Sequence, residues 1–240
     1  ESYSGYIQLQ QENWWDEKTI DNTFDYSEEI NDLLMSDNNV AATIPRLESF
    51  ALASSGSTTK GVMVLGVDPE KEVHLTDLHQ KVVNYLITPQ ALEMILEDSL
   101  FSDENKENAE LFSGYAYSNI DRFMLDLDID PDEAETFTPM LNKYAAYENA
   151  SIKIGESGVW IGYKLAQFLE LQTGDTIVLM GQGYHGSTAA GKFKIKGLMR
   201  LPMPEMNSSV VYMPFDIAQE FYSCENKITS LIVNLNENDD

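Results

Sequence analysis

The feature that most narrows the fold of this chain is that its two ends read as the same unit, a strand, a helix and a second strand. The opening stretch SGYIQLQ (residues 4–10) alternates, with Ile7 and Leu9 on one side and Tyr6, Gln8 and Gln10 on the other. That is the pattern of a half-buried strand. Asp25 and Glu28 have the spacing of a capping box, and Ile30, Leu33 and Leu34 carry a short amphipathic helix to about Met35. NVAATIPRLESFALA (39–53) follows as an extended segment that Pro45 interrupts. At the far end SVVYM (209–213) is a strand, and Pro214 starts a helix whose stripe is Ile217, Ala218, Phe221 and Tyr222. ITSLIVNL (228–235) closes the chain as a strand. Two such units can pair into one split, ferredoxin-like sheet, which makes everything between them an insertion.

The middle has two characters. LESFALA, the turn SSGST and KGVMVLGV (47–67) read as a hairpin. GVWIGYKLAQFLEL places Leu165, Phe168 and Leu169 on one helix face, and GDTIVLMG and GKFKIKGLM follow as strands. Between these lies a polar helical block, about 88–149. It opens at Thr88-Pro89, runs on through DENKENAELFSGYAYSNIDRFM, and holds a second capped start at Asp130-Pro131-Asp132-Glu133. The expected class is therefore α+β.

Charge excludes one class of partner. The chain has 40 acidic and 15 basic residues in 240, a net charge of −25, and so repels nucleic acid and anionic headgroups. The single cysteine, Cys224, rules out an internal disulfide and a cysteine metal cluster, and reads as a small buried hydrophobe. No apolar run approaches the ~20 residues of a membrane helix. The chain begins at Glu1 with no methionine and no signal-peptide pattern, and is expected to be a piece of something longer.

Four motifs invite chemistry. Gly186 and Gly191-Lys192 in GYHGSTAAGKFKIKG (183–197) have the skeleton of a phosphate loop. Such a loop must open a helix and place a hydroxyl after the lysine; here Phe193 stands there and the sequence alternates as a strand. A small-residue hairpin tip over 181–192, of the exposed kind that contacts partners, is the expectation. DLDIDPDEAE (126–135) offers Asp126, Asp128 and Asp130 at calcium-loop offsets, but Pro131 and Phe137 replace the required glycine and glutamate; a strand end running into a capped helix accounts for the same residues. His74 and His79 flank Asp77 without a zinc motif, His185 is distant, and Cys224 has no basic neighbour in sequence. No enzyme, cofactor or metal is expected. A hydrolase would need one of the three histidines to meet a carboxylate in a cleft.

Taken in order, the non-catalytic motifs resemble the extracytoplasmic (periplasmic core) domain of MacB/LolC/FtsX-like ABC transporter permeases. The resemblance is carried by SGYIQLQ (4–10), IPRLESFALASS (44–55) with Pro45-Arg46, and GVMVLGVDPEKE (61–72) with Gly66-Val67-Asp68-Pro69. KVVNYL (81–86) and VWIGYKLAQFLELQTGDTIVLM (159–180), with Gly162, Leu165-Ala166, Leu171 and Gly174-Asp175, continue it, and FKIKGLM and VVYMPFDIAQEFY complete it. It spans about three quarters of the chain.

The resemblance implies a porter subdomain of two β-α-β units (1–52 with 209–240) and an inserted β-rich sabre subdomain (53–208). The helical insertion, about 87–155, departs from the family pattern. It also implies a place on the periplasmic face of the inner membrane, and ATP hydrolysis by a separate or fused domain across that membrane. Implied partners are a second permease copy or homologue, the ATP-binding subunit, and a lipoprotein or its periplasmic chaperone. In LolC-like members a proline-bearing hairpin hook binds the chaperone. The corresponding tip here has Gly183, Tyr184, His185 and Gly186 as contact residues and no proline. A free-standing secreted binding or adhesin module is the alternative, with the helical insertion as its recognition surface.

Overall fold

The computed structural model describes residues 6–14 and 16–236, so Ser4 and Gly5 of the first expected strand lie outside it. The architecture is mixed α+β. The first part comprises β1 (Tyr6–Gln10), β2 (Phe24–Asp25), α1 (Glu28–Met35), β3 (Val40–Ser55), β4 (Thr58–Val67) and α2 (Pro69–Glu72). After a 3-10 turn at Leu78–Lys81 come β5 (Tyr85–Leu86), α3 (Pro89–Glu97), α4 (Asp103–Leu111), β6 (Ala116–Tyr117), α5 (Ile120–Asp126) and α6 (Ala134–Ala145). The chain then forms β7 (Val159–Gly162), α7 (Tyr163–Leu169), β8 (Thr176–Gln182), β9 (Thr188–Met199), β10 (Val210–Pro214), α8 (Phe215–Tyr222), β11 (Lys227–Ile228) and β12 (Ser230–Leu235). No helix of the described residues is long and apolar enough to cross a membrane.

The main sheet runs β1-β12-β3-β4-β10-β7-β9-β8, and β8 also pairs with β3. Six strands thus close into a barrel, and β12 and β1 extend from it as a two-stranded flap. The length of β3 makes this possible. One edge pairs with β4 over Arg46–Ser55; the other pairs with β12 over Val40–Arg46 and with β8 over Leu52–Ser54. Pro45 sits inside β3 and does not interrupt it. The Arg46 carbonyl accepts from Thr229 N on the β12 side, so position 45 faces the β4 side, where pairing already stops at Arg46↔Val67. Its missing N–H therefore costs no ladder bond.

The first and last strands are neighbours: Gln8 pairs with Ile232, and Tyr6 with Asn234. The strands of the two end units interleave, β12 lying between β1 and β3, but β4 separates β3 from β10. A self-contained four-stranded split sheet is therefore not formed, and residue 52, the expected subdomain boundary, falls within β3. The β3–β4 hairpin has to bury its inner face, and the barrel is where that face goes.

Three apolar clusters follow. The barrel interior holds Leu47, Ala51, Val62, Val64, Ile161 and Leu179 from the wall, with Leu165 and Leu169 of α7 and Phe221 and Tyr222 of α8 packed against them. A second cluster belongs to the helical insertion alone and contains Ile95, Phe123, Leu127 and Leu141. The third covers the outer face of β4, β7 and β10 with Leu78, Ile152, Trp160 and Leu201.

Several local expectations change. Ser27, not Asp25, caps α1 through Ile30 N. Ile7 and Leu9 are 51% and 39% exposed, because β1 is an edge strand that nothing in the described residues covers. Phe168 is 49% exposed, while its helix neighbours Leu165 and Leu169 are buried. The helical run 103–124 breaks at Gly114, where β6 pairs with β5. The insertion ends near Ala145 and not at 155: Ala150 N donates to Lys196 O at 2.7 Å, and Ile152 packs in the outer cluster.

Candidate functional site

The hairpin tip is shorter and more constrained than the sequence implies. β8 and β9 pair up to Gln182↔Thr188, leaving five residues, 183–187. His185 and Gly186 are both in the left-handed region, at φ 52° and 75°, which turns the chain back within one 3-10 turn. Gly183 is required by contact: a Cβ there would meet Ser187 Oγ at 2.3 Å and the Tyr222 carbonyl at 2.9 Å. Tyr184 packs against the barrel core, with Lys227 Nζ 5.6 Å from its ring centroid. Lys227 is fixed by Asp25 at 2.7 Å. His185 N donates to Asp21 Oδ1 at 2.6 Å, while the imidazole stays exposed beside the Tyr184 ring. Of the four tip residues, His185 and Gly186 face solvent and Tyr184 and Gly183 are held inward.

The other motifs have structural employment. Lys192 lies within β9, opposite Val178, so the phosphate-loop skeleton leads into a strand and offers no helix N-terminus. Asp126 ends α5, and no strand lies there; it pairs with Arg122 at 2.6 Å. Asp130 caps Asp132 N at 2.9 Å, and the buried amide of Asn105 donates to the carbonyls of Leu127 and Asp128 at 2.9 and 3.0 Å. Among the described residues, no three His, Cys, Asp or Glu side chains gather in metal-binding geometry. His79 packs edge-on to Trp160 at 5.4 Å, while His74 and His185 are exposed. Burial pushes the Cys224 thiol up to about 12, which suppresses the nucleophilic thiolate.

Sequence reasoning missed the outer face of β3. Residues 47, 49, 51 and 53 point into the barrel, so Arg46, Glu48, Phe50 and Leu52 line the outside. Phe50 and Leu52 are 55% and 56% exposed. Together with Met63, Gly61 and Met180 they form an open apolar groove of about 590 Å³. Met63 also lines a second cavity of about 240 Å³, whose walls include Leu65, Met203 and Tyr212 and whose charged groups include Arg46, Glu48 and Glu72. The signal was the even-numbered half of the alternation in RLESFAL, which carries charge at one end and large apolar groups at the other.

At the charged end, Glu72 is completely buried at the end of α2. Arg46 Nε donates to its Oε2 at 3.2 Å, and the guanidinium makes a second bond to Oε1. Burial disfavours the Arg46 charge, but the Glu72 carboxylate more than restores it, and the net effect is upward. Burial also raises Glu48, against the opposing pull of Arg46 and Lys18. The apolar groove and the neighbouring cavity with its ionic groups meet at Met63, and together they offer both polarities of an amphiphile.

No protein-family profile matches the chain, and no curated protein matches it. Among solved structures, the extracellular domain of the noncanonic ABC-type transporter YknZ from Gram-positive bacteria aligns at a TM-score of 0.46 and 11% identity, over 98% of this chain and 84% of that one. The periplasmic region of MacB from Actinobacillus actinomycetemcomitans aligns at a TM-score of 0.48 and 8% identity, over 99% and 77%.

Proposed function

We propose that this chain is the extracytoplasmic domain of an ABC transporter permease. In this role it carries nucleotide-driven movement of membrane helices to a lipoprotein or another amphiphilic cargo. One observation carries the reading: the antiparallel pairing of β1 with β12, which brings the first and last described strands side by side. A domain spliced between two membrane helices has to return its chain to the point where it left. On this reading the porter-like portion (1–52 and 209–240) would hold the flap and α1 together with β10 and most of β3, both of them barrel strands, and the sabre-like portion (53–208) would supply β4, β7, β8, β9 and the helical insertion.

The domain acts mechanically and not as an enzyme. Its partners are a second permease copy, an ATP-binding domain across the membrane, and a cargo whose apolar part lies along Phe50, Leu52 and Met180. A chaperone would meet the tip at His185. The open groove equally suits a free-standing secreted binding module, which the same experiment separates.

The test uses the intact encoded protein expressed in cells, with Ser57→Cys in the exposed β3–β4 turn. A membrane-impermeant maleimide is expected to label it without lysis, and the labelled protein should be recovered in the membrane fraction. Recovery in the medium would favour the secreted module, and labelling only after lysis would end the proposal. Calorimetry of the 240-residue chain should register no ATP binding; micromolar affinity there would contradict it.

A further inference from the structure

Of the ten methionines in this chain, three line a single cavity: Met63, Met203 and Met206. It is the cavity of about 240 Å³ that adjoins the β3 groove at Met63. Met63 and Met206 are half-buried and pack against the outer cluster, while Met203 is 56% exposed.

The backbone that carries these side chains is held in place. Met206 N donates to Met203 O at 3.2 Å, so residues 203–206 form a turn whose end Cα atoms lie within about 7 Å of each other. Pro202 and Pro204 fix the chain on either side of Met203. The buried side chain of Asn207 clamps the same loop. Its Oδ1 accepts from Leu201 N at 2.7 Å, and its Nδ2 donates to Leu201 O at 2.8 Å and to Met203 O at 3.3 Å. Met63 N donates to Ser209 O at 2.8 Å, which ties β4 to the end of the loop. Methionine ordinarily fills core gaps or lines adaptable surfaces through its flexibility. Met203 fills no gap, and a loop stiffened by two prolines and a buried amide is the opposite of an adaptable surface. A fixed backbone that leaves only the side chains to move lets three sulfurs turn towards one point with little further ordering.

Donor chemistry decides what such a point would hold. Thioethers are neutral, soft ligands that suit copper(I), whereas magnesium and calcium take oxygen ligands. The lining contains no histidine or cysteine, the usual donors to zinc. Its charged groups are Arg46, Glu48, Glu72 and Lys81, two of each sign, and Glu72 is committed to Arg46. In so nearly neutral a lining a monovalent ion is buried at less cost than a divalent one.

We propose that Met63, Met203 and Met206 bind one copper(I) ion, with the three thioether sulfurs as its ligands. Binding involves no electron transfer, and silver(I) is the redox-inert probe of the same site. Nothing in it depends on the transporter reading.

The test titrates the 240-residue chain with silver(I) nitrate in chloride-free buffer by calorimetry, and with copper(I) under anaerobic conditions against bicinchoninate. One ion per chain is expected in both, and X-ray absorption at the copper edge should show sulfur bound to the metal. Met63→Leu, Met203→Leu and Met206→Leu conserve volume and should fold like the parent. Each should weaken affinity by about tenfold or more, since losing a group that merely supports a metal ligand already costs that much. Because Met203 is exposed, its variant reads the site even where Met63→Leu disturbs packing. Met94→Leu, on α3 of the insertion, should change nothing. Cys224→Ala should bind as the parent does, which separates the thioethers from the thiol. Absence of stoichiometric binding, an affinity unmoved in the Met203→Leu and Met206→Leu variants, or nitrogen in place of sulfur around the metal would each overturn the proposal.

Discussion

At the scale of single residues, the buried Arg46–Glu72 ion pair makes the loss of either partner costly. Replacing Arg46 by Met leaves the Glu72 carboxylate buried without its cation, and a loss of about 3–5 kcal/mol is expected. The double change Arg46→Met with Glu72→Leu should recover most of it, because an apolar pair no longer needs compensation. Urea unfolding of the three proteins reads both effects; equal losses in the single and double variants would mean that the ion pair contributes little. Cys224 carries a pH prediction. Its folded pKa, raised by burial from 9.0 to about 12, means that the folded state holds the thiol proton more tightly than the unfolded chain does. That stability is fully present below about pH 9 and is lost as the pH rises towards 12. Burial raises Tyr222 in the same sense. Cys224→Ala should flatten the alkaline decline in Tm between pH 9 and 11, and an unchanged slope would refute the assignment. Cys224 was legible in the sequence as a small buried hydrophobe. The Arg46–Glu72 pair was not, since 26 positions separate its members and only the β3–β4 hairpin followed by α2 brings them together.

At the scale of elements, what was legible was whatever is decided locally. Thr88-Pro89 caps and starts α3 as its residue types require, and the stripe Ala218, Phe221 and Tyr222 is the buried face of α8. What failed was decided by partners far along the chain. The alternation of β1 is real, but as an edge strand it buries neither side fully, and Phe168 points away from the barrel that takes Leu165 and Leu169. Close approach between elements gives one prediction. A Cβ on Gly162, where β7 turns into α7, would lie 2.2 Å from the Asn207 backbone carbonyl oxygen. Backbone cannot step aside as a side chain can, so Gly162→Ala should cost about 1–3 kcal/mol or more. Gly61→Ala, with open space around its Cβ, should stay within about 0.5 kcal/mol by chemical denaturation. The helical insertion gives another. Its entry and exit are tied together by the Tyr85↔Ala146 bridge and by Tyr147 N donating to Asn84 O at 2.8 Å. Its core is also its own. Replacing residues 87–145 by an Asn-Gly turn should therefore leave a folded barrel with its β-sheet circular dichroism and cooperative melting. A molten product would show that the insertion is integral to the barrel.

At the scale of the whole molecule, one long strand reorganises what the two ends promise. The two terminal β-α-β units do meet, β1 against β12 and β12 against β3, but β3 runs on past them, turns with β4, and closes against β8. Pairing between positions as distant as Leu52 and Met180 leaves no trace in local periodicity, and the barrel was for that reason invisible in the sequence. The adjacency of the first and last described strands is nonetheless a strong geometric constraint, and it can be tested without reference to function. If Tyr6 and Asn234 are paired neighbours, the ends can be joined by a short Gly-Ser linker and the chain reopened elsewhere without altering the core. The segment around Gly155 and Glu156 is the place to reopen it, because it is exposed and a Cβ at Gly155 would meet nothing within 4 Å. Cutting there gives up the Gly155 N bond to Asp216 Oδ2 at 2.7 Å and the loose Lys196–Glu156 pair at 3.8 Å. Each is a surface interaction of about 1 kcal/mol at most. The permutant should thus match the parent in near-ultraviolet circular dichroism and lose no more than about 2 kcal/mol in urea. If it collapses to an aggregated or molten state while the linear parent folds, then β1 and β12 are not the neighbours described, and the chain does not leave the domain where it entered.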